Sequence, residues 1–226
     1  MNATAPQMTD DERARLQRRR KRRREMRIRA QGIMQGVVSM LGPRDVVFDC
    51  GANVGVITAD LAATGAQVHA FEPDPVAFDG LLQRCGSMPN VTLHPVAVGA
   101  VPGTAILSRA ADFDADPVDR TTRSTVLPGG HAMQTTGHQV EIIDLLDRIR
   151  TVIDTHGELA FLKLDIEGAE LDLLEALDRA GLFAHIRLTV AETHPGKFPD
   201  LRPRFRALRQ HFAATYPQTR VFLDWI

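Results

Sequence analysis

Asp49, Gly51, Asn53 and Gly55 alternate through the stretch VVFDCGANVGVITA. An apolar run that ends in an acid, breaks into a glycine turn and continues as a helix is where an open α/β sheet receives a nucleotide. Two common nucleotide loops do not fit. The phosphate loop needs a second glycine followed by lysine, and Val56 stands at that glycine. The dinucleotide loop needs glycine at 53 and 56, where this chain has Asn53 and Val56. Asn53 blocks the close backbone approach to a pyrophosphate, which disfavours NAD and FAD. What remains is D-x-G-x-N-x-G, a turn that approaches a ligand without phosphate while Asp49 faces a cation. S-adenosyl-L-methionine, with its amino group, sulfonium and adenosine, has those features. Glu72 lies 21 residues after Gly51, at the end of HAFEP, where a carboxylate can accept from both ribose hydroxyls. The expected cofactor contacts are Asp49, the turn from Gly51 to Gly55, Asn53 toward the amino-acid end, Glu72, and Ala97 and Val98 as a wall against adenine.

Methyl transfer is an in-line displacement, and a hydroxyl acceptor must also lose its proton. Ligands of open parallel sheets bind beyond the carboxyl ends of the strands, so candidate groups follow strand ends. Asp165, after FLKL, reads as a general base, an orienter of the cofactor amine, or a metal ligand. As a purely structural acid it would suit the dipole of the next helix. Glu192 and His194, after RLTVA, project to one side and pair a carboxylate with an imidazole that titrates near neutrality. Their structural alternative is a brace for the turn at Pro195. Asp165, Glu192 and His194 could together ligate a divalent cation, but no short metal motif accompanies them and a metal is not favoured. Glu167 and Glu170 can both serve the start of the following helix. Lys163 faces opposite to Leu162 and Leu164, so it is expected to pair with a core acid and is assigned no catalytic role.

These residues need a scaffold, and the sequence alternates accordingly. DVVFDC is apolar on both faces, as in a buried parallel strand. VITADLAATG reads as a helix closed by Gly65, AQVHAFEPD as a strand, and PVAFDGLLQRC as a helix with Pro75 in its first turn. NVTLHPVAVG reads as a third strand, interrupted by Pro95. VEIIDLLDRI, LAFLKLDIEG, AELDLLEALDRA, IRLTVAETHP, RPRFRALRQHFAAT and TRVFLDWI continue the rhythm, with Leu171, Leu174 and Leu177 on one helix stripe. The fold class is α/β: a doubly wound, Rossmann-like, mostly parallel sheet with helices on both faces. Residues 100–139 break the rhythm with glycine, proline and polar residues, apart from a short strand at TAILSR. A loop of this length suits a substrate lid, and Arg123, Ser124 and Thr125 within it are candidate substrate contacts.

Hydrophobic residues make up 44% of the 226, enough for one packed domain. No apolar run reaches the ~18 residues of a membrane span. No apolar core follows the N-terminal charges, so a cytoplasmic protein is expected. Cys50 and Cys85 match no metal spacing and read as reduced thiols. Residues 1–29 carry eleven basic and four acidic side chains, a balance of +7, against −8 over the rest. Residues 1–41 thus read as a basic arm and helix, with apolar positions Met26, Ile28, Ile33, Met34, Val37, Val38 and Leu41 spaced for one buried face. Residues 42–226 read as the catalytic domain. The arm could dock on a partner or a second copy, making a homo-oligomer possible, or bind RNA. Nucleic acid is not favoured: the body is acidic and only 5% of residues are aromatic.

FDCGANVG, FEPD, AVG, VEIIDLLD and LKLDIEGAE follow one another in the order found in FkbM-family methyltransferases, which this chain resembles over residues 44–195. The resemblance implies a Rossmann-like fold, S-adenosyl-L-methionine as cofactor, and O-methylation of a small polar acceptor such as a sugar or natural-product intermediate. It adds Glu167, inside LKLDIEGAE, to the candidate substrate residues. RNA methylation through the arm, N-methylation of an amino-sugar-like acceptor, and a degenerate fold that only binds are the alternatives.

Overall fold

The computed structural model describes residues 9–109, 124–127 and 137–225. The chain opens with helix α1 (Asp10–Met40), followed by β1 (Val46–Cys50), α2 (Val56–Ala62), β2 (Gln67–Phe71), α3 (Pro75–Cys85) and β3 (Val91–His94). Strands β4 (Ala97–Gly99), β5 (Gly103–Leu107) and β6 (His138–Asp144) come next, then α4 (Leu145–His156) and β7 (Leu159–Leu164). The chain closes with α5 (Glu170–Arg179), β8 (Ile186–Ala191), α6 (Arg202–Thr215) and β9 (Val221–Phe222). Six strands form a parallel sheet in the order β3-β2-β1-β7-β8-β9, and β4-β6-β5 form a small second sheet. This is the α/β architecture expected.

Strand alternation sorts the core into two layers. Phe48, Cys50, Leu162 and Leu164 face a cluster with α4, α5 and α6 that includes Ile149, Leu174 and Phe205. Val47, Phe161 and Val190 face the other way, against Ala30, Met34 and Val37 of α1 and Leu61 of α2. Leu171, Leu174 and Leu177 are all buried, as their stripe requires. Parallel strands covered on both faces read as near-continuous apolar runs, and every residue of β1 and β7 is buried, the paired Asp49 and Lys163 included.

Two strands end sooner than the sequence suggests. NVTLHPVAVG is not one strand: it divides at Pro95 into β3 in the large sheet and β4 in the small one. Proline has no N–H to give a ladder, and the chain leaves the sheet there. At the C-terminus only Val221 and Phe222 are regular strand, with Asp224 bridging to Glu192 beyond them. Residues 103–107 do form a strand, paired antiparallel with β6.

Helix α1 reaches back through the arginine run. Thr9 and Glu12 close its first turn as a capping box. Its buried stripe is narrower than the apolar pattern: Ala30, Met34, Val37 and Leu41 recur at helical spacing, whereas Ile28 and Val38 lie off that line and are exposed. Arg29 fastens the helix to the last strand, its guanidinium 4.7 Å from the Phe222 ring centroid. No described helix is long and apolar enough to cross a membrane.

The anchor therefore begins near Arg29. Deleting residues 1–24 is expected to shift Tm by no more than about 2 °C. Val37→Asp buries an unpaired charge and should cost about 3 kcal/mol, read from the same thermal melts.

Candidate active site

Register builds the site. Cys50 pairs with Phe71 on one side and Leu164 on the other, and Leu164 pairs with Ala191. The next residues on these four strands are Glu72, Gly51, Asp165 and Glu192, which therefore stand in one row along the carboxyl edge of the sheet. Asp165 N donates to Cys50 O at 3.0 Å, and Glu192 N to Leu164 O at 2.9 Å, extending the ladder into that row.

Beneath the row lies a buried ion pair. Asp49 and Lys163 are register partners on β1 and β7, with Nζ 3.0 Å from Asp49 Oδ1. Thr58 of α2 donates to the other carboxylate oxygen at 2.7 Å. Lys163 also donates to Gly51 O at 2.9 Å, which ties the turn to the pair below it. Burial works against the lysine's charge, but Asp49 and Asp165 outweigh it and hold the ammonium above its ordinary pKa. This corrects the role expected for Asp49. It is fully buried and does not line the pocket; the cation it faces is Lys163. The core pairing expected for Lys163 is present.

The turn itself requires its glycine. Gly51 has φ +76°, and a Cβ there would come within 1.8 Å of Asp165 O. Gly51 N and Ala52 N both donate to Phe71 O, and Asn53, at φ +48°, sends its N–H to Glu72 Oε2 at 2.9 Å. Gly55 does different work from that expected. It is the left-handed N-cap of α2, packed against Leu81 and Cys85 of α3, and it does not line the pocket. Glu72 is buried, and its second oxygen accepts from Asp74 N at 2.8 Å. Burial outweighs both backbone donors and pushes its carboxyl up to about 7.

A cavity opens over Glu72, Gly51 and Asp165 of this row, while Glu192 and His194 do not line it. Of the residues expected at the cofactor, Gly51, Asn53, Glu72, Ala97, Val98 and Asp165 line it, joined by Phe71, Leu107 and Ile166. Ser124, Thr125 and Glu167 line it too. The hydroxyls of Ser124 and Thr125, however, are spent on the protein: Ser124 donates to Asp74 at 2.9 Å and Thr125 to Glu167 O at 2.8 Å. They fasten their segment to the sheet edge. Arg123 lies outside the described residues. Asp74, to which the sequence assigns no role, joins three elements: it caps α3, takes Ser124, and accepts from Arg109 at 2.8 and 3.2 Å.

At the other end of the row, acids surround His194. Its Nε2 lies 3.4 Å from Glu167, 3.6 Å from Glu192 and 3.9 Å from Asp165, while Nδ1 lies 3.2 Å from Glu170. The expected grouping of Asp165, Glu192 and His194 is therefore present, and Glu170 joins it. Fully buried, Glu170 accepts from Ile166 N at 2.7 Å and Gly168 N at 2.8 Å, so it does serve the turn before α5. Glu167 sits in the left-handed region at φ +57°, and Lys197 donates to it at 3.0 Å. No sequence signal joins Lys197 to Glu167, 30 positions away. Burial raises Asp165 and Glu167, and burial together with the charge of Asp165 pushes Glu192 up to about 7. Burial lowers His194, but Glu170, Glu167 and Asp165 outweigh it and bring the imidazole up to about 9. The acids around it thus favour the charged form of His194, where the sequence suggests an imidazole titrating near its ordinary value.

Comparison with known proteins points the same way. Residues 49–216 match the Methyltransferase FkbM domain. The chain is 32% identical over 184 residues to the 31-O-demethyl-FK506 methyltransferase FkbM of Streptomyces tacrolimicus, covering 68% of this chain and 67% of that protein. It is 28% identical over 162 residues to the hexuronic acid methyltransferase AglP of Haloferax volcanii, covering 69% of this chain and 58% of that one. A 54-residue stretch, 24% of this chain and 21% of the other, is 45% identical to ribosomal RNA small subunit methyltransferase A of Thermotoga petrophila.

The buried pair makes a direct prediction. Lys163→Met leaves Asp49 buried without its counter-charge and should cost about 3–5 kcal/mol in urea unfolding. Adding Asp49→Asn to that variant should recover part of the loss, because the two changes are coupled through one contact.

Proposed function

The chain belongs to the methyltransferase FkbM family, and from that premise we propose that it transfers the methyl group of S-adenosyl-L-methionine to a hydroxyl of a small polar acceptor, such as a sugar or a natural-product intermediate. The single observation that carries this reading is the row Glu72–Gly51–Asp165–Glu192 along one sheet edge, whose first three members line one cavity. On this reading the carboxylate at one end is assigned to the ribose and the ionisable groups at the other to the acceptor's proton. Adenosine is assigned to the wall of Phe71, Ala97, Val98 and Leu107, with its ribose on Glu72. The amino-acid end goes to Gly51, Asn53 and Asp165. The sulfonium methyl then points toward Asp165, Glu167 and Glu192, where the acceptor is aligned.

Support for a small acceptor comes from two relatives, whose names specify a demethylated FK506 and a hexuronic acid. The RNA-modifying relative matches too short a stretch to carry its substrate over. Chemically, the methyl–sulfur bond breaks as the methyl–oxygen bond forms, and the hydroxyl's proton leaves to a carboxylate of the row or to water. Oxygen is preferred to nitrogen here on the first relative's name, which specifies a 31-O position.

The test is incubation of methyl-labelled S-adenosyl-L-methionine with the protein and a host extract, with and without nuclease. Label is expected in a small, polar, nuclease-resistant fraction. Label in a large, nuclease-sensitive fraction would overturn the acceptor class in favour of RNA, and base-stable label on nitrogen would overturn O-methylation.

Glu72 supplies two further expectations. Glu72→Ala should weaken S-adenosylhomocysteine binding roughly tenfold or more, the worth of hydrogen bonds to a charged group. The ionised carboxylate is the form that accepts both ribose hydroxyls, and burial holds the free protein's Glu72 near pH 7. Affinity should therefore fall as pH drops through about 7. Glu72→Gln should remove that pH dependence while binding more weakly throughout; calorimetric titrations between pH 5.5 and 8.5 would show it.

A further inference from the structure

We propose that Asp165, Glu170 and His194 hold a divalent cation of the magnesium or manganese kind at the acceptor end of the pocket; the proposal rests on the methyl-transfer reading above. Each of the three offers one ligand atom, and those atoms lie within 4.8 Å of one another. Two carboxylates and an imidazole are the hard and borderline donors such ions take. The three-residue set differs from the one the sequence suggests, with Glu170 in place of Glu192.

Independent of that convergence, two of the ligand atoms make no well-formed hydrogen bond, although His194 Nδ1 lies 3.2 Å from Glu170 and Asp165 Oδ1 3.9 Å from His194 Nε2. Asp165 Oδ1 and His194 Nδ1 are both shut off from solvent and make no hydrogen bond among the described residues. Buried polar atoms are ordinarily satisfied, and an orphaned pair in one cluster points to a missing ligand. The third residue is already oriented. Glu170 is fixed by Ile166 N on Oε1 and Gly168 N on Oε2, with Oε1 turned toward the His194 imidazole at 3.2 Å. Glu167 and Glu192 flank the imidazole within 3.6 Å, adding negative charge around the position.

Asp165 also lines the cofactor cavity, so the ion would stand beside the point where the acceptor's oxygen arrives. A divalent ion ligating that oxygen makes its proton easier to remove, the same effect it has on bound water. Acceptors offering two adjacent oxygens would be favoured over those offering one.

Mn2+ titration of the full chain, followed by electron paramagnetic resonance without cofactor, tests the site. One saturable ion per chain is expected, with Asp165→Asn and His194→Gln each weakening binding at least tenfold. Asp172→Asn, at an exposed acid paired with Arg204 on the helix surface, should leave it unchanged. Absence of saturable binding to the unmodified chain, or binding that survives both site substitutions, would overturn the proposal. S-adenosylhomocysteine affinity on the same samples separates the two readings. Cofactor binding without Mn2+ binding sinks the ion site alone, and Mn2+ binding without cofactor binding counts against the methyl-transfer reading while leaving the ion site standing.

Discussion

The Asp49–Lys163 pair is the constraint on which the rest of the site depends. A lysine in the middle of a fully buried strand is stable only if its charge is met, and here register delivers the partner directly across from it. The ammonium has three donors and uses them on Asp49, Gly51 O and, more distantly at 3.5 Å, Cys50 O. The charge that must be neutralised inside the sheet is thus also the clamp that sets the turn above it. Thr58 adds α2 to the same arrangement, so strand, turn and helix are positioned by one ionic group.

Everything in the cavity is then referred to that clamp. With Gly51 fixed and without a Cβ, Asp165 O packs against the turn, and the strand ends align into a single acidic row. Acids brought together out of water push one another's carboxyls upward, and the row shows it at Glu72, Asp165 and Glu192, with burial the leading cause each time. Acids crowded in this way favour a positive charge beside them, as the raised His194 imidazole shows. That preference is the physical ground for the cationic methyl donor proposed here.

Local patterns were legible in the sequence and long-range partners were not. The start of α3 at Pro75, the buried strand before the turn, and the left-handed glycine at Gly51 follow from residue types over a few positions. Glu72 was readable from spacing because the connection from β1 to β2 has a nearly fixed length. The cation beside Asp49 is not legible locally, because Lys163 lies 114 positions away. The raised imidazole of His194 is not legible either, because its four acids come from two strand ends and a helix start. The division of residues 91–99 between two sheets was visible only as a proline, whose outcome depends on whether a second sheet is there to receive the chain.

The account's central claim is that this clamped turn seats the cofactor. A crystal structure with S-adenosylhomocysteine bound tests it most directly. The account predicts ribose hydroxyls on Glu72, adenine against Val98 and Phe71, and the sulfur facing Asp165 and Glu192. A ligand seated away from Gly51, or one whose ribose makes no contact with Glu72, would contradict it.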